Sequence, residues 1–282
     1  MHINGHLSRY VTTRTLLTPH QLMWGLLLLP VLAVGQAQTP VMVSASRAAK
    51  AAANAKTVTA PKETAKTADV VTNAVVERVI DVKILPLFGE RSKSPLQIED
   101  EIRFLNDCDQ NFTSRHEASQ FFAARGWEYI AEAQLDTAAY RFNLANLLDD
   151  KNADAFWGLG VVSYQRNQLG TAIKMLQRGA SLADTNAVLL TDLATVELEQ
   201  YQAKQDTASM VNAREHLARA IFLRPDHATA YMKLSLANYL EAKYGDAWLY
   251  LHKAYTTSIT SVDLDYVHEL LAKQPDPIGL FK

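Results

Sequence analysis

The chain has 282 residues, of which 48% are hydrophobic and 21% charged, and this balance excludes a wholly disordered protein. Its formal net charge of −2 gives no sign of the clustered basic surface that nucleic-acid binding needs. The single cysteine, Cys108, excludes an internal disulfide, so stability has to come from packing. Because Asp107 and Asp109 flank it and disfavour a thiolate, a small buried hydrophobe is favoured over a reactive thiol.

Residues 1–37 have the features of an export signal. Arg9 and Arg14 supply positive charge, no acidic residue precedes Glu63, and residues 22–34 form an apolar run of 13 residues. That run is shorter than the roughly 20 residues that span a bilayer. We predict cleavage after Ala37 and a location in the periplasm, in the cell envelope or outside the cell. An uncleaved leader is the alternative, and it would be the chain's only membrane contact.

Residues 38–69 are rich in Ala, Lys and Thr and predict a flexible linker. Residues 44–67 hold five basic residues against Glu63 alone, so this segment is expected to stay solvated, with contact to an anionic surface as the alternative. Residues 70–93 contain many β-branched apolar side chains before the turn residues at 86–89. They predict an extended arm that docks on the body, because a lone strand would have no partner.

Residues 94–118 predict a leading helix and a turn. Ser94-Pro95-Leu96-Gln97 is a capping box with proline at the first helical position. A second box, Ser114-Arg115-His116-Glu117, is expected to open the next helix.

Four alanines then recur at intervals of 34, 41 and 34 residues: Ala138, Ala172, Ala213 and Ala247. Four residues after each lies a large apolar residue, and three further on a small one (Phe142, Leu176, Leu217, Leu251; Ala145, Gly179, Ala220, Ala254). A period near 34 residues is typical of helix–turn–helix solenoids.

This pattern resembles the tetratricopeptide repeat (TPR), which has an aromatic residue, a Leu-Gly pair and a Tyr on its first helix. The units cover residues 119–152, 153–186, 187–227 and 228–261, within 119–261. The resemblance implies an all-α fold, a right-handed α-α superhelix of about four helix pairs with flanking helices. Residues 262–282 would form a capping helix and an apolar tail, either docked or free.

The third unit is seven residues longer than the others, which predicts about one extra turn on each of its two helices. The longer tips could mark a binding face or a solvated extension, and both interpretations stay open.

No residue pattern in the chain supports catalysis. Gly158-Leu159-Gly160 lacks the third glycine and the preceding strand of a nucleotide fingerprint, and Ala272 stands where a zinc-protease motif starting at His268 needs its second histidine. We therefore expect no enzyme activity, no catalytic residue, no metal and no cofactor.

In proteins that this chain resembles, first helices line a concave groove, and matching positions give twelve predicted binding residues: Trp127, Ile130, Asp154, Trp157, Val161, Tyr164, Gln165, Thr195, Glu199, Met232, Lys233 and Tyr239. Trp127 and Trp157 carry the prediction, since Phe122 and Phe156 already fill the aromatic core slots and tryptophan is common at interface hot spots. The alternative is that residues 70–88 fill the groove. Because Lys233 is the one basic residue of the set, an apolar or mixed segment is expected rather than a free carboxylate end.

The sequence thus predicts an exported scaffold that binds a protein segment, with no nucleic-acid partner. Two alternatives remain: a structural subunit of an envelope assembly, and an accessory module to a cell-wall or polysaccharide enzyme.

Overall fold

The computed structural model describes residues 81–282. The predicted leader, the linker and residues 70–80 of the arm lie outside the described residues. Within 81–282 there are ten α-helices and no strand: α1 (Pro95–Asn111), α2 (Arg115–Ala131), α3 (Leu135–Leu148), α4 (Ala153–Gln165), α5 (Leu169–Leu182), α6 (Ala187–Lys204), α7 (Thr207–Leu223), α8 (Ala228–Leu240), α9 (Tyr244–Thr257) and α10 (Leu264–Lys273). None of these helices is long and apolar enough to cross a bilayer.

Helices α2 to α9 pack as four successive pairs, α2 with α3, α4 with α5, α6 with α7 and α8 with α9. The last three pairs fall in the predicted intervals 153–186, 187–227 and 228–261, while the first pair begins at Arg115, four residues before the predicted interval 119–152. Neighbouring pairs stack on one another. The four alanines of the ladder have no exposed surface, so they mark where helices touch. The described chain is therefore an all-α solenoid. We call the side built by α2, α4, α6 and α8 the first-helix face, and the side built by α3, α5, α7 and α9 the second-helix face.

Glycines on the first helices set the close approach within and between the first two pairs. A Cβ at Gly158 would lie 2.1 Å from the Phe142 ring, and one at Gly126 would lie 2.7 Å from it. A Cβ at Gly160 would lie 2.6 Å from Leu176. The Gly158-Leu159-Gly160 stretch therefore serves helix packing in the middle of α4.

The extra residues of the third unit lengthen both of its helices, as predicted. Helix α6 has 18 residues and α7 has 17, against 13 and 14 in α4 and α5. Gln205 takes a left-handed conformation between them and Asp206 caps α7. The additional length is about one turn per helix.

The leading helix α1 begins with the predicted capping box. The Ser94 hydroxyl accepts from the Gln97 N–H, and the Gln97 side chain accepts from the Ser94 N–H. The second predicted box is half formed: Ser114 accepts from the Glu117 N–H, but the Glu117 carboxylate accepts from Thr113 instead. The prediction of a full capping box was wrong: the Glu117 carboxylate does not accept from the Ser114 N–H, because Thr113 offers it both a backbone and a hydroxyl donor. Cys108 is buried, and desolvation first, then Asp107 and Asp109, raise the pKa of its thiol.

The described part of the arm, residues 81–93, is neither a strand nor fully extended. It forms two 3-10 turns, Val82–Ile84 and Pro86–Glu90, with left-handed backbone at Leu87, Phe88 and Gly89. This segment is hydrogen-bonded to Asn143 on α3. The Asn143 side-chain amide donates to the Lys83 and Leu85 carbonyls at 2.8 and 2.7 Å. The same amide accepts from the Leu87 N–H at 2.8 Å.

Further bonds extend this contact to the end of α4 and to α5. Arg166 donates to the Ile84 carbonyl at 3.0 Å. Glu90 pairs with Lys174 and Arg178 on α5. The arm segment 81–93 therefore docks as the sequence predicted for the arm, and it does so on α3 and α5.

The C-terminal tail is docked rather than free. Within the tail, Asp276 accepts from the backbone N–H groups of Ile278 and Phe281 at 3.0 and 2.9 Å. The Phe281 ring stacks on Trp248 and His252 of α9. Ile278 and Leu280 stay exposed beside it.

Candidate binding face

The twelve predicted binding residues all lie on the first helices, but they differ in accessibility. Six are buried: Trp127, Ile130, Trp157, Val161, Thr195 and Met232. Asp154 is exposed. The other five are half-buried: Tyr164, Gln165, Glu199, Lys233 and Tyr239. The side chains that could meet a ligand directly are thus concentrated in the second, third and fourth repeats.

The two tryptophans belong to the core. Trp127 is 9% exposed and Trp157 3%. Their rings meet edge to face with centroids 5.0 Å apart, and Trp127 packs the same way on Phe142 at 5.2 Å. The inference that they are surplus to the core was wrong. Because Gly126 and Gly158 let the Phe142 ring in between the helices, the indoles form the next aromatic layer of the same core.

Trp157 is also held by a buried polar contact. Its indole N–H donates to an Asp192 carboxylate oxygen at 2.8 Å, and Asp192 is itself buried on α6. A buried hydrogen bond to a charged acceptor fixes the rotamer of both partners. Trp157 therefore links the second repeat to the third and does not present its ring to a ligand.

One open pocket of about 530 Å³ lies on the first-helix face between the third and fourth repeats. Its walls come from α6, α8, the turn between α4 and α5, and the first residue of α5: Asn167, Leu169, Thr195, Leu198, Glu199, Gln202, Ala203, Lys233 and Leu236. Thr195, Glu199 and Lys233 are members of the predicted set, so the structure brings these three together in one concavity. We call this concavity the α6–α8 pocket.

The charges around the α6–α8 pocket are mixed. Desolvation lowers the pKa of Lys233, although the carboxylates of Glu199, Asp192 and Asp263 pull it upward. Tyr164 donates its hydroxyl to Glu199 across the boundary between repeats. Asp154 lies at the start of α4 and does not line the pocket; desolvation raises the pKa of its carboxyl. The α6–α8 pocket therefore holds one acidic and one basic side chain, Glu199 and Lys233.

The described segment of the arm leaves the α6–α8 pocket clear. Residues 81–93 lie on α3 and α5, and the α6–α8 pocket has no wall from that segment. The alternative that residues 70–88 fill the groove is therefore wrong for residues 81–88. Residues 70–80 lie outside the described residues.

Sequence reasoning missed two residues that organise this region, Asn143 and Asp192. Both are polar side chains in otherwise apolar helical stretches. A polar residue at a position where the helix is expected to be buried is the sequence signal that could have identified them. Their partners are distant in the chain: Asn143 binds backbone 60 residues away, and Asp192 binds Trp157 35 residues away. Among the described residues, no group of three or more His, Cys, Asp or Glu side chains is arranged to hold a metal ion.

Several solved structures are similar to this chain. One is PilF of Pseudomonas aeruginosa, at 19% identity over 60% of this chain and 79% of that one, with a TM-score of 0.47. Another is YrrB, at 20% identity over 63% and 85% with a TM-score of 0.44. TTC0263 of Thermus thermophilus matches at 15% identity over 57% and 93%, with a TM-score of 0.46. No protein-family model and no curated protein matches the chain.

Four stacked helix pairs that carry the in-register ladder decide the architecture. The fold is a TPR superhelix. In this TPR array the ladder alanines and first-helix glycines set the helix spacing, and the α6–α8 pocket is a concavity that this spacing leaves open on the first-helix face.

Proposed function

We propose that the protein is an exported protein–protein interaction scaffold that binds an extended segment of a partner protein in the α6–α8 pocket. The observation that carries the proposal is the pocket itself, an open concavity of about 530 Å³ that contains Thr195, Glu199 and Lys233. Solenoid proteins use such concave surfaces for binding. The leader at residues 1–37 supports export.

Several features of the α6–α8 pocket suit an extended segment. Leu236 offers apolar contact, while the exposed Gln202 and Asn167 offer hydrogen-bonding groups for a peptide backbone. Thr195 and Leu198 are buried beneath them. Glu199 and Lys233 add one charge of each sign, which favours a mixed segment over a uniformly charged one. Outside the pocket lining, the buried Trp157 holds the second repeat against the third through its hydrogen bond to Asp192.

The proposal is tested by filling the pocket without disturbing the core. Ala203 lines the α6–α8 pocket and is exposed, so Ala203→Trp should block the concavity and abolish capture of the partner from native envelopes. Ala218→Trp is the matched control, since Ala218 is exposed on α7 and away from the pocket. Equal capture of the same identified partner by both variants would show that the partner does not bind in the α6–α8 pocket.

A second function, a structural subunit of an envelope assembly, is favoured by apolar side chains at the C-terminal end. Ile259, Leu264 and Ile278 are 68%, 65% and 67% exposed. Such a group of exposed apolar residues suits an end-to-end contact between copies. Light scattering of the full chain at high concentration tests this function, and a strict monomer would exclude it.

A further inference from the structure

A second cavity, of about 130 Å³, lies between the arm segment 81–93, α1 and α3. We call it the arm cavity. Its apolar surface comes from three aromatic rings and two leucines: Phe88, Phe104, Tyr140, Leu144 and Leu147. An apolar cavity of about 150 Å³ can hold a benzene molecule. The arm cavity therefore has the size and the lining to hold one aromatic ring.

The wall that the arm contributes is held in place by α3. The Asn143 side chain makes three hydrogen bonds to the backbone of residues 83–87. The backbone at residues 87–89 is left-handed, and residues on both sides of this turn, such as Val82 and Arg91, line the arm cavity. Because the bonds to Asn143 fix the arm on α3, the cavity is formed before any ligand arrives, as is usual for small-molecule sites.

The charged side chains of the arm cavity leave two cations without an acidic partner. The charged members of its lining are Lys83, Arg91, Lys93, Asp100 and Glu101. Both carboxylates are already paired, Glu101 with Lys93 and Asp100 with Arg103 at 3.7 Å. Within residues 81–282, neither Lys83 nor Arg91 forms an ion pair, and both side chains are exposed. The Lys83 ammonium lies over the Tyr140 ring, 5.9 Å from its centroid. An aromatic lining thus adjoins two cations that are free to meet an anion.

We propose that the arm cavity binds a carboxylate that carries one aromatic ring, with the ring inside the cavity and the carboxylate at Lys83 and Arg91. Burial of the ring supplies most of the affinity, and the two cations add a preference for an anion. A free aromatic acid and a peptide that ends in phenylalanine both offer this chemistry. The arm cavity shares no lining residue with the α6–α8 pocket, so the proposal is independent of the proposed function.

Ligand-observed NMR titration of the full chain tests the site, with 3-phenylpropionate as the probe and 3-phenylpropionamide as its neutral counterpart. The acid should bind roughly fivefold more tightly than the amide, because each partly exposed ion pair adds a modest stabilisation. Lys83→Gln combined with Arg91→Gln should remove this preference and leave binding of the amide unchanged. Leu147→Trp should fill the cavity and abolish binding of both compounds. Leu249→Trp, at a position that is exposed on α9, is the matched control and should change neither affinity.

Three outcomes would overturn the proposal. The parent protein could bind neither compound, or it could bind the acid and the amide equally well. Binding could also survive Leu147→Trp, which would place the probe elsewhere on the protein. If Leu147→Trp loses its helical circular dichroism, the double glutamine variant decides, since both of its substitutions lie at exposed positions. Acetyl-glycyl-phenylalanine distinguishes the two sources: tighter binding than 3-phenylpropionate assigns the site to peptide ends, and weaker binding assigns it to free aromatic acids.

Discussion

Trp157 and Asp192 form a buried hydrogen bond, 2.8 Å from the indole nitrogen to the carboxylate, that joins the second repeat to the third. Trp127, its edge-to-face neighbour, has a buried indole N–H with no hydrogen-bond partner. The two tryptophans thus share a core layer but differ in how their polar atoms are satisfied. This difference gives the first prediction.

Trp157→Phe should lower the free energy of unfolding by about 1–3 kcal/mol, because the buried Asp192 carboxylate loses a donor. Trp127→Phe should cost less, since it also removes an N–H that is buried without a partner. Urea unfolding followed by circular dichroism measures both. Equal losses in the two variants would contradict the role assigned to Asp192.

Asn143→Ala should release the arm from α3. The substitution leaves three backbone groups of residues 83–87 without their partner, at a cost on the order of 3 kcal/mol. Trypsin should then cut after Lys83 faster than it cuts the parent protein at the same site. Asn146→Ala is the matched control on the same helix, because the Asn146 amide nitrogen has no partner to lose. Similar cleavage in both variants would show that Asn143 does not hold the arm.

Gly158→Ala should destabilise the protein by roughly 1–3 kcal/mol or more through overpacking, since the new methyl group would lie 2.1 Å from the Phe142 ring. Gly170→Ala should have the opposite effect on stability. A Cβ there has no heavy atom within 4 Å, so this change should stabilise α5 by about 0.5–1 kcal/mol. Thermal unfolding of the two variants checks the pair. A neutral Gly158→Ala would refute the close approach of α4 to Phe142.

His227 should make the protein less stable as the pH falls. Desolvation, with help from Arg224, lowers the pKa of His227 to about 4 from its usual 6.5. The unfolded chain therefore takes up a proton below about pH 6.5 that the folded chain refuses until pH 4. Unfolding free energy should fall by on the order of 3 kcal/mol across that window. His227→Gln should flatten this part of the pH profile, whereas His268→Gln, at an exposed position, should leave it unchanged.

Sequence alone predicted the all-α solenoid because the alanine ladder repeats a local contact four times. Two helices that touch need a small residue at the contact, and the regular spacing of the alanines in the sequence shows where these contacts lie. The aromatic residues were harder: spacing placed Trp127 and Trp157 on the first helices, but it could not show that Gly126 and Gly158 admit the Phe142 ring and draw the indoles into the core.

The arm and its anchor were also beyond the local pattern. The apolar content of residues 70–93 predicted docking, yet the surface it uses depends on Asn143 meeting backbone 60 residues away. Within the candidate site, Thr195, Glu199 and Lys233 came from repeat positions on two different helices. Their convergence in one pocket depends on the superhelix as a whole.

The most direct test of the central claim is site-specific photo-crosslinking from the α6–α8 pocket. A photoreactive phenylalanine at Gln202, which is exposed and lines the pocket, should crosslink one identified partner in native envelopes. The same group at Ala218 should not, and Ala203→Trp should abolish the product at Gln202. The account is contradicted if the same partner crosslinks equally from both positions, or if Ala203→Trp leaves the Gln202 product intact.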